Sequence, residues 1–259
     1  MNLAVDAYAH LDSPLHRWEP RVKLVGLMAL IFAFSFVRQL PLLPAMLLVT
    51  AALYAASHLP LSYLLTRLRY PGSFLLIMAV VLPFLSGSTV LFQIGPLALR
   101  LEGSLELLRI LVKFVCILTI GLVLFGSGPF LSAIKAMRAL GLPPILADMT
   151  LLAYRYLFEI GGDLSRMQTA MRLRGFKAHY LSGRGLAVLA SLAGSILVRS
   201  YERSDRVYHA MMLRGYGQVP RGASDEFQTR PSDLIFAAAI LLVAIGFVTA
   251  EILLRQGGQ

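Results

Sequence analysis

The sequence predicts an all-α, polytopic membrane protein with about five transmembrane helices and a cytoplasmic layer of long amphipathic helices. Three observations predict this class. Hydrophobic residues make up 57% of the 259-residue chain, which exceeds the apolar share of ordinary soluble domains. They gather in long runs of low charge, as membrane-spanning helices require. The basic residues, which give a formal net charge of +10, lie between these runs and fit the positive-inside bias of membrane proteins.

Five apolar runs predict the transmembrane helices. Each reaches or approaches the roughly 20 residues that a helix needs to cross the hydrocarbon core. The runs comprise residues 22–37, 41–57, 72 to about 92, 105–125 and 234–254. Asp6, Asp12 and Glu19 precede the first run, so this run is expected to stay in the mature chain and not to act as a cleaved signal.

Basic residues in the short loops set the expected orientation. They concentrate before the first span and between the second and third spans, at Arg17, Arg21, Lys23, Arg67 and Arg69. The alternating loops hold Arg38 and Arg100. The N-terminus and residues 127–232 are therefore expected in the cytoplasm, and the C-terminus outside. Residues 127–232 carry 14 Lys or Arg against 7 Asp or Glu, which agrees with that side.

This orientation divides the chain into three predicted domains. Residues 1–126 form an N-terminal membrane domain with four spans, residues 127–232 a cytoplasmic domain of amphipathic helices, and residues 233–259 a C-terminal transmembrane helix. In the middle domain, proline starts and glycine exits predict helices over 129–140, 143–160 and 163–174, and a fourth from about 182 to 214.

The fourth of these helices contains an apolar run at 186–198, which at about 13 residues is shorter than a span requires. It is interpreted as part of a helix packed under the membrane. An alternative stays open in which this run enters or crosses the bilayer.

A seven-residue pattern occurs twice in the middle domain, 40 positions apart. Residues 170–176 read Ala-Met-Arg-Leu-Arg-Gly-Phe and residues 210–216 read Ala-Met-Met-Leu-Arg-Gly-Tyr. Each copy closes a predicted helix, with glycine where a left-handed residue ends it. A cation suits a helix C-terminus, but this does not account for the shared Met, Leu and aromatic residues. Both ends are predicted to anchor in a hydrophobic groove with an acidic wall, through Met171, Leu173, Arg174, Gly175, Met211, Leu213, Arg214 and Gly215.

The predicted fourth span carries a charged stripe. Its members follow at spacings of four, three and four, which places them on one helical face; they are Glu102, Glu106, Arg109 and Lys113. Charges in a membrane helix face protein, pair with one another or snorkel. The stripe is interpreted either as a conduit or a contact for another membrane subunit, or as a helix start whose two glutamates lie at the membrane interface.

No residue pattern indicates a catalytic, metal or nucleotide site. No histidine is expected to pair at i,i+4 spacing with a carboxylate or a second histidine so as to give a metal site on one helix, and neither a Ser/His/Asp grouping nor a GxxxxGK[ST] phosphate loop is evident. The single Cys116 is interpreted as a small core residue. No cofactor is expected on this chain, and ATP must be bound by other subunits. Basic loops between spans do not indicate nucleic-acid binding.

Two alternatives to a subunit of a larger complex remain. The chain could be a stand-alone ion channel or secondary carrier that uses the charged stripe, or a membrane enzyme. Carriers commonly contain repeats of whole spans, whereas the repeat here lies in the predicted cytoplasmic domain. The enzyme alternative lacks a recognisable catalytic grouping.

The chain resembles the transmembrane T component of energy-coupling-factor (ECF) transporters, in the CbiQ/NikQ cobalt/nickel branch. The resemblance extends to about residue 217 and rests on three features: the entry sequence Asp-Ser-Pro-Leu-His-Arg-Trp-Glu-Pro-Arg-Val-Lys-Leu at 12–24, Gly-Leu-Pro-Pro at 141–144 followed by Tyr-Arg-Tyr at 154–156, and the two Arg-Gly ends. The family signature is often Ala-Arg-Gly, whereas both copies here read Leu-Arg-Gly.

The resemblance implies a non-enzymatic scaffold subunit of an ATP-driven importer in the bacterial inner (plasma) membrane. Its implied partners are two ATPase subunits of CbiO/NikO type, a substrate-binding membrane subunit of CbiM/NikM type, a small accessory membrane subunit and the lipid bilayer. The middle domain would hold coupling helices that cross in an X, with Arg174 engaging one ATPase and Arg214 the other. ATP-driven closure would move these helices and tilt the substrate subunit. Cobalt or nickel is implied by the branch resemblance, mainly of the segment with Asp6, Asp12 and His16.

Overall fold

The computed structural model describes residues 13, 15, 18–85, 90–94, 97–176, 183–217 and 231–256. This part of the chain contains eight α-helices and one antiparallel hairpin. The helices are α1 (Pro20–Phe36), α2 (Leu43–Ser57), α3 (Leu61–Leu85), α4 (Leu101–Gly126), α5 (Phe130–Ala139), α6 (Pro144–Leu173), α7 (Gly183–Leu213) and α8 (Pro231–Gln256). Strands β1 (Val90–Ile94) and β2 (Leu97–Arg100) form the hairpin, and a 3-10 turn at Leu40–Leu42 precedes α2. The predicted all-α class is confirmed, with the hairpin as an addition.

The chain forms two compact units. One contains α1 to α5, the hairpin and α8, and the other contains α6 and α7. The predicted 127–232 domain groups α5 with α6 and α7, whereas in the structure α5 packs against α1. Helix α5 is amphipathic, and it buries Ile134 and Ala136.

Small and aromatic side chains hold the first unit together. Gly26 of α1 faces Ile240 of α8, where a Cβ at Gly26 would make an ordinary van der Waals contact of 3.6 Å with Ile240 Cγ2. Phe34 meets Phe247 edge to face, with ring centroids 5.0 Å apart. Helix α4 packs against α1, α2 and α3. Its Cys116 is free and fully buried, so its interpretation as a core residue is confirmed.

Three described helical segments are long and apolar enough to cross a membrane, at Leu40–Ser57, Gly103–Gly126 and Asp233–Gln256. They coincide with the second, fourth and fifth predicted spans. Helix α1, of 17 residues, coincides with the first. The bounds of the third predicted span, 72 to about 92, are wrong.

Helix α3 occupies the place of this third span but begins at Leu61, so the predicted loop at 58–71 is largely helical. Arg67 lies within α3, its guanidinium 5.8 Å from the ring centroid of Tyr63; arginine is a good helix former, and its charge alone does not mark a loop. At the other end, Phe92 lies in β1. A short apolar run does not distinguish a strand from a helix, and the Gly-Pro pair after β1 is a turn signal.

Helix α6 is continuous over 30 residues, so the predicted break after residue 160 is wrong. Gly161 and Gly162 lie inside it, where glycine costs about 1 kcal/mol relative to alanine. The adjacent Asp163 forms an ion pair with Arg203 of α7 within this continuous helix. Helix α7 is continuous over 31 residues, which confirms the fourth predicted helix and carries it unbroken through 186–198.

Candidate functional site

The two repeated segments end α6 and α7 with the same hydrogen bonds. At the end of α6, the Gly175 N–H donates to the Arg172 carbonyl (3.0 Å) and the Phe176 N–H donates to the Met171 carbonyl (3.1 Å). Gly175 has φ +82°. These bonds and the left-handed glycine define a Schellman motif, which satisfies carbonyls that the helix leaves without partners. The sequence prediction of a left-handed glycine is confirmed here.

The end of α7 repeats this geometry. The Gly215 N–H donates to the Met212 carbonyl (3.0 Å), and the Tyr216 N–H donates to the Met211 carbonyl (3.0 Å). Gly215 has φ +74°. The two ends therefore share one backbone conformation, in which the arginine is the last residue before the left-handed glycine.

The leucine and arginine side chains at both ends are exposed to solvent. Leu173 is 84% exposed and Leu213 is 90% exposed, which are high values for leucine. Arg174 and Arg214 are exposed as well. Each end thus presents an apolar side chain beside a planar guanidinium.

Met171 and Met211 have a different place from these exposed residues. They are only partly exposed, and they accept the longer bond of each Schellman motif, where a hydrophobic contact with the aromatic residue commonly accompanies the turn. The leucines are thus the more exposed apolar side chains at both ends, and docking through Met171 and Met211 stays a prediction.

Helices α6 and α7 pass each other through polar contacts. The Arg203 guanidinium on α7 forms ion pairs with Glu159 (3.2 Å) and Asp163 (3.2 Å) on α6. Further along α7, the Tyr216 hydroxyl donates to Asp148 Oδ2 (3.1 Å). Higher numbers on α7 thus meet lower numbers on α6, so the helices are antiparallel where they meet.

An apolar groove of about 420 Å³ lies between these two helices. Ile145, Met149 and Leu152 of α6 face Val207 and Met211 of α7 across it. Ile145 and Met149 are 59% and 60% exposed, respectively. The groove is therefore an accessible apolar surface within the α6–α7 unit.

The charged stripe on α4 is engaged within the chain. Glu106 pairs with Arg109 at 2.9 Å, and Lys113 Nζ donates to the Ser35 carbonyl at 2.7 Å near the end of α1. The Glu102 side chain lies outside the described part of the structure. The predicted contact of these four residues with another membrane subunit stays a prediction.

Three further polar residues escaped the sequence prediction. Lys23 is 6% exposed, and its Nζ donates to the Ser127 carbonyl (2.6 Å), which ties the start of α1 to the residue that follows α4. Arg203 with its two carboxylate partners is the second case. The sequence contained a signal for the Arg203–Asp163 contact, because Asp163 and Arg203 are separated by the same 40 positions as the two Arg-Gly ends.

The third missed residue is His209, which pairs with a carboxylate at the i,i+4 spacing that was not expected from the sequence for any histidine. His209 Nδ1 lies 3.5 Å from Asp205 Oδ1 at i,i+4 on α7, with both side chains well exposed. No group of three His, Cys, Asp or Glu side chains that could hold a metal occurs among the described residues. Asp6, Asp12 and His16 lie outside them.

Known proteins resemble this chain over most of its length. The model of the CbiQ family, described as a cobalt transport protein, matches residues 12–224. The energy-coupling factor transporter transmembrane protein EcfT of Limosilactobacillus fermentum is 27% identical over 96% of this chain and 97% of that protein. The cobalt transport protein CbiQ of Rhodobacter capsulatus is 26% identical over 89% of this chain and 90% of that protein.

A third relative carries an additional part. The putative fused cobalt transport protein CbiMQ of Methanocorpusculum labreanum is 25% identical over 94% of this chain, which accounts for 42% of that longer protein. The family match spans most of the chain, and the EcfT and CbiQ relatives are matched over nearly their whole length. The chain therefore belongs to the CbiQ family, the transmembrane T components of ECF transporters.

Proposed function

We propose that this chain couples ATP hydrolysis by two ATPase subunits to the movement of a separate substrate-binding membrane subunit. The observation that carries the proposal is the doubled helix end, in which an exposed leucine and an exposed arginine follow the same Schellman geometry twice. Two equivalent ends suit two copies of one partner. In this proposal α6, α7 and the N-terminus lie in the cytoplasm, where ATP is available.

Each end has the chemistry of a docking element. A leucine can fill an apolar pocket, while a guanidinium can form paired hydrogen bonds with a carboxylate on the pocket wall. Buried apolar anchors beside a desolvated charge pair are typical of interface hot spots. The Leu173–Gly175 end would hold one ATPase and the Leu213–Gly215 end the other, with ATP bound by the ATPases and no cofactor on this chain.

The transported substrate in this proposal is cobalt or nickel ion. The names of the family and of two relatives refer to cobalt transport, whereas the name of the EcfT relatives mentions no metal. The fused relative supports a substrate subunit of CbiM type as the membrane partner. A small accessory membrane subunit completes the proposed complex.

The groove between α6 and α7 offers the substrate subunit a contact surface. Its lining is mostly apolar, which is the composition of the buried centre of protein–protein interfaces. The α4 stripe is the second candidate, but its described charges already have partners within this chain. A moving subunit is better served by an apolar surface, over which it can slide without breaking ion pairs. We therefore place the membrane subunit against the groove.

The test is the double variant Arg174→Ala with Arg214→Ala, compared with Arg172→Ala. Truncation of one buried, paired interface arginine costs about 2 to 5 kcal/mol, or roughly 30-fold to several thousand-fold in affinity. We expect each single variant to transport weakly and the double variant to lose ATPase binding and ATP-dependent uptake. Arg172→Ala changes an exposed arginine on the same turn and should keep both.

The same membranes discriminate among the alternatives. Normal uptake of radioactive cobalt and nickel by the double variant, with correct insertion, would refute the proposed docking. Purified chain alone in liposomes should show no ion flux, whereas flux without any ATPase would favour a stand-alone channel or carrier. Mass spectrometry of the co-purified subunits identifies the substrate subunit directly.

A further inference from the structure

One side chain joins the two helices that carry the docking ends. The Arg203 guanidinium uses Nη1 for Glu159 Oε1 and Nη2 for Asp163 Oδ2, both at 3.2 Å. The rigid fork of arginine suits two carboxylates at once. Arg203 and Asp163 are 27% and 18% exposed, so their ion pair is partly shielded from solvent, whereas Glu159 is 45% exposed. The shielded member of the contact is therefore the Arg203–Asp163 pair.

Asp163 and Arg203 occupy equivalent positions relative to the two copies of the repeat. Asp163 lies 11 positions before Arg174, and Arg203 lies 11 positions before Arg214. At 1.5 Å per residue, each docking end reaches about 16 Å beyond the contact along its own helix. Because the helices are antiparallel where they meet, the two ends point away from each other. Rotation at this contact would change the separation of the ends with little shift at the contact itself, and it would break the Tyr216–Asp148 hydrogen bond at the end of α7.

The carboxylates require a cation at this place. Glu159 and Asp163 are one helical turn apart, where like charges destabilise a helix. Asp163 also pairs with Arg166 at 2.5 Å, which leaves Arg203 as the residue that reaches both carboxylates from the other helix. Without Arg203, Glu159 loses this partner on α7 and, among the described residues, Asp163 keeps only Arg166 of its own helix.

We propose that Arg203, held by Glu159 and Asp163, is the pivot of the α6–α7 crossing and positions the two docking ends. Arg203 acts through the geometry of the helices and touches neither ATP nor substrate. The functional part of this inference rests on the proposed docking of ATPases at the two ends. The geometric part concerns the chain alone.

The geometric part is tested by a distance measurement on the full chain in lipid nanodiscs. Spin labels at Arg172→Cys and Met212→Cys lie nine positions beyond the contact on each helix, up to roughly 27 Å apart along the two axes. The native Cys116 is fully buried and does not compete for label. A labelled chain without these two changes supplies the background signal.

We expect one narrow distance distribution for the parent chain and a broader or shifted one for Arg203→Ala. Arg199→Ala, an exposed arginine one turn earlier on α7, should leave the distribution unchanged. The paired isosteric variant Glu159→Gln with Asp163→Asn keeps Arg203 and should broaden the distribution as Arg203→Ala does. An unchanged distribution in both variants overturns the pivot, as does equal broadening by Arg199→Ala.

The functional part uses unlabelled chain assembled with its partners. Arg203→Ala should keep ATPase binding while substrate moved per ATP hydrolysed falls about tenfold, within the range typical of coupling free energies. Arg203→Lys, which keeps the charge but loses the fork, should restore part of that ratio. Lost ATPase binding or an unchanged ratio refutes the positioning role. If Arg174→Ala with Arg214→Ala leaves ATPase binding intact, the proposed docking fails, but the distance result still decides the pivot.

Discussion

The exposed leucines at the docking ends allow a change that affects binding and not folding. Leu173 and Leu213 are 84% and 90% exposed, so truncation to alanine opens no cavity in the free chain. Exposed substitutions of this kind usually change stability by less than about 0.5 kcal/mol. If each leucine enters a pocket on an ATPase, its truncation removes three buried carbons at about 0.8 kcal/mol each, or roughly 2 kcal/mol. That corresponds to roughly 30-fold weaker binding per end.

The assay is equilibrium binding of the purified ATPase subunits to nanodisc-embedded chain, together with a thermal unfolding curve. Leu173→Ala and Leu213→Ala should each weaken binding at one end while the unfolding temperature stays constant. Leu186→Ala is the matched control, because Leu186 is 64% exposed at the opposite end of α7. Equal effects of all three variants on binding would refute the assignment of the leucines as anchors. A fall in unfolding temperature would refute the conclusion that Leu173 and Leu213 contribute little to the stability of the free chain.

Three further changes test the local geometry. Gly175→Ala should weaken ATPase binding at one end, since a left-handed alanine costs roughly 1 to 2 kcal/mol, and Gly175→Asn should do so less; equal binding by the alanine variant and the parent contradicts this. The hydrogen bond and charge of Arg166, then the charge of Arg203, lower the pKa of the Asp163 carboxyl. Its ion pairs are therefore complete above its ordinary pKa, about 3.9, and are lost as pH falls through the lowered value. The label distance should be constant from neutral pH to about pH 4 and broaden only below it. Lys23→Met should lower stability by about 1 to 3 kcal/mol because it orphans the Ser127 carbonyl, and thermal unfolding in detergent would show an unchanged midpoint if this is wrong.

The sequence predicts the helices well where composition and end signals agree. Apolar runs with clear borders gave α1, α2, α4 and α8 their approximate places, and the repeated Arg-Gly ends located the ends of α6 and α7. Local signals failed where tertiary contacts decide. The glycines at 161 and 162 indicate a helix end, but α6 continues through them, beside the ion pairs that Glu159 and Asp163 form with Arg203 on α7.

The candidate site was predictable in position but only partly in detail. Residue types show that Leu173 and Met171 are both apolar, yet not which of them faces solvent. The packing of the last turn decides this: Met171 is partly buried, whereas Leu173 is 84% exposed. The charged stripe on α4 shows the same limit. Its spacing predicts one shared face, but the partner of Lys113 is a backbone carbonyl of α1, and no side-chain pattern encodes it.

The two docking ends have the same anchor chemistry but unequal attachment within the α6–α7 unit. Tyr216 follows the glycine of α7, and its hydroxyl donates to Asp148 near the start of α6. The equivalent residue after α6 is Phe176, which has no hydroxyl to form such a bond. The end of α7 is thus held at two places on α6, at Arg203 and at Tyr216. The end of α6 extends 11 residues beyond the Arg203 contact. If the two ends hold two copies of one ATPase, as proposed, closure of the ATPases would displace the less restrained end of α6 more than the end of α7, and equal anchors would produce a directed movement.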